Sequence, residues 1–181
     1  MPEPERHVPV WLLDVDGVIN ASRPGWGAPP RQATAYAFDQ AWQLRWAPAL
    51  VAQIRAWHRE ARVEVRWATT WCPYAGQLEH LWALPPLRRC LTESESAGRG
   101  TATAAKLRAA LAVLETEGRP LIWSDDDAIP SQGEDLRRLR GAPVPALLIA
   151  PRPSEGLTRQ HVERISAFLD MPSQAEGIPR R

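Results

Sequence analysis

Short apolar runs alternate with amphipathic or polar segments along most of the chain. Five runs have the length and composition of buried strands, at about 10–15, 63–68, 87–91, 121–124 and 146–150. The segments between them predict helices, at about 48–60, 74–82, 103–117, 134–140 and 159–169. Strands that alternate with helices predict an α/β fold: a three-layer, Rossmann-like parallel sheet of about five strands with helices on both faces.

Three stretches depart from this alternation. Residues 22–30 are rich in Gly and Pro and predict a loop. Residues 33–38 and 42–46 flank Asp39-Gln40 and predict a small hairpin flap after strand one, projecting over the ends of the strands. The polar segment 92–100 contains glycine and predicts a second loop.

The length of the chain supports one domain with a substantial core. We expect that domain to cover residues 1–171, beginning with a loose, polar leader at 1–8. Residues 172–181 combine Pro, Gly, Ser and charges and predict a disordered tail.

Composition narrows the classes of function. The apolar fraction of 44% and charged fraction of 24% are ordinary for a globular protein. A net charge of +1 leaves a nucleic-acid partner possible but unsupported, and gives no attraction to anionic membranes. The apolar runs are too short to span a bilayer. Two cysteines cannot build a disulfide framework, so we expect a cytoplasmic protein.

Candidate chemistry lies where three predicted strands end. The first strand runs into Asp14-Val15-Asp16-Gly17, the second into Thr69-Thr70, and the fourth into Asp125-Asp126-Asp127. The carboxyl ends of parallel strands share one edge of the sheet, so these groups can converge. The predicted helix between the last two motifs carries Lys106, the only lysine of the chain. Carboxylates buried together need a cation nearby, which indicates a metal or phosphate site.

Each motif alone also has an ordinary structural explanation. Asp-x-Asp-Gly is compatible with a simple turn, and threonines favour strands. Lys106 alone is typical of an exposed helical residue, and Asp127 is best explained as a helix cap. The conjunction of all four motifs, in this order, is what carries the functional interpretation.

In this order the motifs resemble those of the haloacid dehalogenase superfamily, most of whose members are phosphohydrolases. The resemblance spans about residues 10–150. It implies that Asp14 is a nucleophile that forms an aspartyl phosphate, and that Asp16 is the general acid and base. It also implies Mg²⁺ bound by the carboxylates of Asp14 and Asp125, by the backbone carbonyl of Asp16, and by Asp126 directly or through water.

The same resemblance gives roles to the remaining groups. Thr69, with Thr70 as a close competitor, would bind phosphoryl oxygens through its hydroxyl and nearby backbone N–H groups. Lys106 would place positive charge on those oxygens and steady the carboxylates. Only 48 residues separate Asn20 from Thr69 (21–68), which implies a capless or minimally capped enzyme with an open site. Such a site suits a phosphorylated small molecule or a macromolecular phosphate end.

The predicted function is therefore Mg²⁺-dependent hydrolysis of a phosphomonoester. Two alternatives remain open at this point: a noncatalytic binding or regulatory module of the same fold, and a phosphotransferase. A thiol-based phosphatase is disfavoured because no arginine follows Cys72 at the short spacing that such a phosphate loop needs. Cys72 is better explained as a buried structural residue.

Seven of the nine tryptophans fall into two groups. Three lie inside apolar runs and are predicted to be core: Trp11, Trp67 and Trp123. Four lie near the predicted edge, where they either line a substrate cleft or only pack against the hairpin: Trp26, Trp42, Trp46 and Trp71.

Overall fold

The computed structural model describes residues 8–171, so the predicted tail and all but the last residue of the predicted leader lie outside the described residues. The strands are β1 (Val10–Leu13), β2 (Arg31–Ala37), β3 (Gln40–Trp46), β4 (Glu64–Trp67), β5 (Arg88–Arg89), β6 (Leu121–Ser124) and β7 (Ala146–Ile149). The helices are α1 (Pro48–Arg59), α2 (Ala75–Leu81), α3 (Glu93–Ser96), α4 (Arg99–Leu111), α5 (Gly133–Arg140) and α6 (Arg159–Leu169).

Five of the strands form one parallel sheet in the order β5-β4-β1-β6-β7. β1 is central, and Leu13 is paired with Trp67 of β4 on one side and with Ser124 of β6 on the other. The three strands that lead into the candidate motifs are therefore adjacent. This confirms the predicted α/β, Rossmann-like class of fold.

The alternation of side chains along β1 fills both faces of the sheet. Trp11 and Leu13 join a hydrophobic cluster with α1, α2 and α6. Val10 and Leu12 join a second cluster with the end of α4 and with α5. Both faces are thus covered by helices, which explains why β1 is apolar at every position instead of alternating with polar residues.

The predicted hairpin flap is present as β2 and β3, which pair antiparallel. Phe38 and Asp39 connect them, and both have positive φ angles of 53° and 57°. Two residues of this conformation form the tight turn whose twist matches that of the flanking strands. The hairpin is anchored to α2, because Gln77 exchanges two hydrogen bonds with the backbone of Tyr36.

The prediction of a loop over residues 92–100 is wrong. Thr92 caps a short helix, α3, in a capping box with Glu95, and α4 already begins at Arg99. The polar residues that suggested a loop include those that cap the start of α3, where side-chain oxygens bind free backbone N–H groups. The helix that carries Lys106 therefore begins earlier than predicted, and it continues beyond Leu111 as a π-helical segment, Ala112–Thr116.

Four of the five strands of the parallel sheet are shorter than their sequence pattern predicts, among them β1 and β5. β1 ends at Leu13, so Asp14 is the first residue after it. β5 is reduced to two residues at the edge of the sheet. No helix among residues 8–171 is both long and apolar enough to cross a membrane.

Candidate active site

One buried ammonium group joins the ends of two strands. The Nζ atom of Lys106 lies 2.7 Å from Oδ2 of Asp14 and 2.7 Å from Oδ2 of Asp125. All three residues are almost fully buried. Groups more than a hundred residues apart in sequence meet because β1 and β6 are neighbours and α4 packs beside them.

Three groups surround the carboxylate of Asp14. Its Oδ1 accepts a hydrogen bond from the backbone N–H of Val15, at 2.7 Å, while Oδ2 accepts one from Lys106. The Thr69 hydroxyl lies near the same carboxylate and lowers its pKa. Burial raises the pKa of Asp14, Lys106 opposes that rise, and the charge of Asp125 adds to it.

Lys106 remains a cation in this setting. Burial favours the neutral amine, but the charges of Asp14 and Asp125 outweigh it and raise the pKa of Lys106 to about 12. The side chain therefore supplies a fixed positive charge to the edge of the sheet at neutral pH.

Asp125 and Asp126 have different surroundings. Oδ1 of Asp125 accepts backbone hydrogen bonds from Asp127, at 3.0 Å, and from Ala128, at 2.7 Å. Asp126 is half-buried and forms no ion pair within residues 8–171. Its carboxylate lies against Gly17, where an added Cβ would come within 2.4 Å of Cγ of Asp126. Gly17 also has a positive φ of 70°, so both the backbone and the space there require glycine.

The donor set fits a hard divalent cation. Asp14, Asp125 and Asp126 each offer a carboxylate oxygen, and these oxygens lie within 4.8 Å of one another. Three carboxylates facing one ammonium leave two negative charges without a partner. Mg²⁺ prefers oxygen ligands, commonly one or two carboxylates completed by water, and it would balance that charge. The Mg²⁺ assignment itself stays a prediction.

Asp16 lies apart from that group. Its carboxylate is not among the clustered oxygens, so only its backbone carbonyl is left to serve the metal role predicted for it. Instead, Oδ1 accepts a hydrogen bond from Nδ2 of Asn20, at 2.7 Å, and Oδ2 accepts one from Nε1 of Trp71, at 2.8 Å. Asp16 is thus held by neutral donors, unlike Asp14.

The two threonines also separate. Thr69 is fully buried, lies near enough to Asp14 to lower its pKa, and accepts a hydrogen bond from the backbone N–H of Trp71, at 3.3 Å. Thr70 is half-buried and makes no side-chain hydrogen bond within residues 8–171. Proximity to the carboxylate therefore favours Thr69 as the hydroxyl of the site.

Most of the tryptophans are core residues. Those in the strands, Trp11, Trp67 and Trp123, are fully buried, as predicted. Three of the four near the edge are also buried: Trp26, Trp46 and Trp71. Trp42 alone of these four is exposed, at 41% of the residue, and its ring makes an edge-to-face contact with that of Trp71.

The interpretation of Asp127 as a helix cap is wrong. The next helix, α5, begins only at Gly133, and Asp127 instead forms an exposed ion pair with Arg99 at 2.8 Å. Cys72, by contrast, is fully buried, as predicted.

Sequence reasoning did not connect Asp16 with either of the two residues that hold it, Asn20 and Trp71. Asn20 lies only four residues after Asp16, so this contact is local in the sequence. The turn between them is closed by a hydrogen bond from the backbone N–H of Gly17 to the carbonyl of Asn20, at 2.8 Å. Nothing in the sequence indicates that the indole of Trp71 points at Asp16, because 55 residues separate the two.

No family model, curated protein or solved structure with which the chain was compared matches it. The class defined by the fold and the site is an α/β domain with an acidic, lysine-bridged edge.

Proposed function

We propose that this chain is a Mg²⁺-dependent phosphomonoester hydrolase of the haloacid dehalogenase type, acting through an aspartyl phosphate. One observation carries the proposal: Lys106 bridges Asp14 and Asp125 at the carboxyl edge of a parallel sheet, beside the third carboxylate of Asp126. Because the three carboxylates outnumber the single ammonium group, the site can bind an anionic substrate only if a further cation is bound as well.

In the first step, the Asp14 carboxylate attacks phosphorus. An oxygen–phosphorus bond forms while the bond to the leaving oxygen breaks, and the phosphoryl group is transferred to Asp14. Lys106, which contacts Asp14, and the Thr69 hydroxyl, which lies near it, would bind the equatorial oxygens as charge shifts onto them.

Asp16 supplies the proton transfers. It protonates the leaving oxygen in the first step, then takes a proton from the water that attacks the aspartyl phosphate. The second displacement breaks the bond between phosphorus and Asp14 and releases inorganic phosphate. Asp16 lies two residues after Asp14 and outside the Lys106 bridge, which suits a group that must exchange a proton.

Asp14, Asp125 and Asp126 are the residues that would hold Mg²⁺. When bound, the ion offsets the repulsion between an anionic nucleophile and an anionic substrate and polarises the phosphoryl group. Chelation is therefore expected to abolish turnover.

The hairpin formed by β2 and β3 indicates what kind of substrate the site can accept. Between β1 and α1 the described chain forms β2 and β3 and no further domain, in keeping with a minimally capped site. Such a site accommodates the phosphate of a small molecule or of a macromolecular end. We place this activity in the cytoplasm, since Cys72 and Cys90 are unpaired.

The test is Asp14→Asn, assayed with 4-nitrophenyl phosphate and Mg²⁺. The amide keeps the shape of the side chain but is a poor nucleophile, so kcat/KM should fall at least about a thousandfold. Asp39→Asn makes the same change in the exposed hairpin turn and should leave kcat/KM unaltered.

Three outcomes would contradict the proposal. Undiminished turnover by the Asp14→Asn variant would remove the nucleophile. Phosphoryl transfer to an added alcohol in preference to water would indicate a phosphotransferase. Mg²⁺ binding without hydrolysis of any phosphate ester would indicate a noncatalytic module.

A further inference from the structure

The two hydrogen bonds to Asp16 come from donors that cannot take its proton. Nε1 of Trp71 and Nδ2 of Asn20 each donate to a different oxygen of the carboxylate, at 2.8 and 2.7 Å. An indole N–H is only a donor, and an amide NH₂ is neutral and not basic. Any proton that Asp16 carries can therefore leave only to substrate or water.

Both donors are themselves held in place by hydrogen bonds, and the residues involved come from three separate segments of the chain. Trp71 is 2% exposed, and its backbone N–H is bonded to the Thr69 hydroxyl. Oδ1 of Asn20 accepts the backbone N–H of Arg45, in β3, at 2.9 Å. The loops after β1 and β4 and the hairpin thus meet at one carboxylate.

We infer that Trp71, assisted by Asn20, is a positioning residue that orients the Asp16 carboxyl toward the leaving oxygen. This inference rests on the proposed function. An acid that rotates freely protonates the leaving group less often than one whose two oxygens are held. Trp71 follows Thr69-Thr70 directly, so the same short loop would set both the phosphate-binding hydroxyl and the proton donor.

The test compares two substrates of similar shape, 4-nitrophenyl phosphate and phenyl phosphate. 4-Nitrophenolate leaves with little help, whereas phenolate is a stronger base and depends on a proton from Asp16. In Trp71→Phe, kcat/KM for phenyl phosphate should fall about 10- to 100-fold more than for 4-nitrophenyl phosphate. A merely structural role would lower both equally.

Trp82→Phe is the matched control. Trp82 is also 2% exposed, but its Nε1 has no hydrogen-bond partner in the described part of the chain. Its substitution removes the same atoms from the core and should leave the ratio of the two kcat/KM values unchanged. In an Asp16→Asn background, Trp71→Phe should produce no further selective loss, because the two residues act as one unit.

A spectroscopic measurement examines the hydrogen bond without turnover. In protein labelled with ¹⁵N in its tryptophans, Asp16→Ala should move the indole N–H resonance of Trp71 upfield and leave that of Trp82 in place. Should Trp71→Phe fail to fold, Asn20→Ser removes the other donor and should show the same leaving-group selectivity.

The results separate this inference from the proposed function. Wild-type turnover that depends on Asp14, with an unchanged substrate ratio in Trp71→Phe or Asn20→Ser, overturns the positioning role alone. An unmoved Trp71 resonance in Asp16→Ala does the same. Absence of wild-type turnover on both esters overturns the proposed function and, with it, the positioning role.

Discussion

At the scale of single residues, Ala61 adopts a backbone conformation that is unfavourable for alanine. Ala61 has a positive φ of 53° and lies just after the end of α1. Its N–H donates to the carbonyl of His58, and that of Arg62 donates to the carbonyl of Trp57, the paired bonds of a helix ending that favours glycine. Alanine there places a Cβ in a conformation that L residues avoid.

Ala61→Gly should therefore stabilise the protein by about 1 kcal/mol, since Ala61 is exposed and its methyl group packs against little. The free energy of unfolding from denaturant titration measures the gain. Ala104→Gly, at an exposed position inside α4, should instead cost about 1 kcal/mol. Destabilisation by both changes would show that the backbone of Ala61 is not under this strain.

At the scale of elements, a charged network ties β4 to its neighbours. The buried guanidinium of Arg66 donates to Glu64, at 2.7 Å, and to Glu117 beyond the end of α4, at 2.6 Å. Arg119 donates to Glu64, at 2.5 Å, and to the carbonyl of Val8, at 2.6 Å. The network joins the chain before β1, β4 and the segment that leads into β6.

This network makes stability depend on pH. Hydrogen bonds from Arg66 lower the pKa of Glu64 from 4.5 to about 2, against the opposing effect of burial. A lowered pKa gives stability that is present above pH 4.5 and is lost as the pH falls toward 2. Glu64→Gln should lower the free energy of unfolding by about 1 kcal/mol at pH 7. The expected loss is small because solvent screens ion pairs that are partly exposed.

The difference in the free energy of unfolding between wild type and Glu64→Gln should shrink as denaturant titrations are repeated from pH 7 down to pH 3. Glu163→Gln, on the exposed side of α6, is the control and should differ from wild type by less than about 0.5 kcal/mol at each pH. A constant cost of Glu64→Gln across that range would exclude the ion pairs as its source.

For the whole molecule, metal binding at the acidic edge, if the proposed site is correct, would be linked to folding. Burial and the charge of Asp125 raise the pKa of Asp126, so ionised Asp126 costs stability at neutral pH without a metal. Asp126→Asn should therefore unfold at the same or a higher temperature than wild type in EDTA. Mg²⁺ at about 100 times its Kd should stabilise wild type by about 2.7 kcal/mol and the variant by less.

Asp127→Asn is the matched control for this measurement. Asp127 faces Arg99 and lies outside the carboxylate cluster, so its substitution should leave the Mg²⁺-induced rise in melting temperature intact. An equal rise in Asp126→Asn and wild type would contradict a role for Asp126 in holding the ion.

The sequence by itself determined the class of fold, the hairpin and the strand ends at which Asp14, Thr69 and Asp125 stand. These features follow from local patterns: apolar runs for strands, helical spacing for helices, and the shared edge of a parallel sheet. The loop expected at 92–100 failed because polar residues serve helix starts as well as loops.

Only the tertiary structure decided what surrounds each site residue. It placed Thr69 rather than Thr70 against Asp14, gave Asp16 the indole of Trp71, and paired Asp127 with Arg99. The physical reason is that side-chain contacts depend on which strands are neighbours and on where each side chain points. Both are settled by packing over the whole sheet, which no short stretch of sequence encodes.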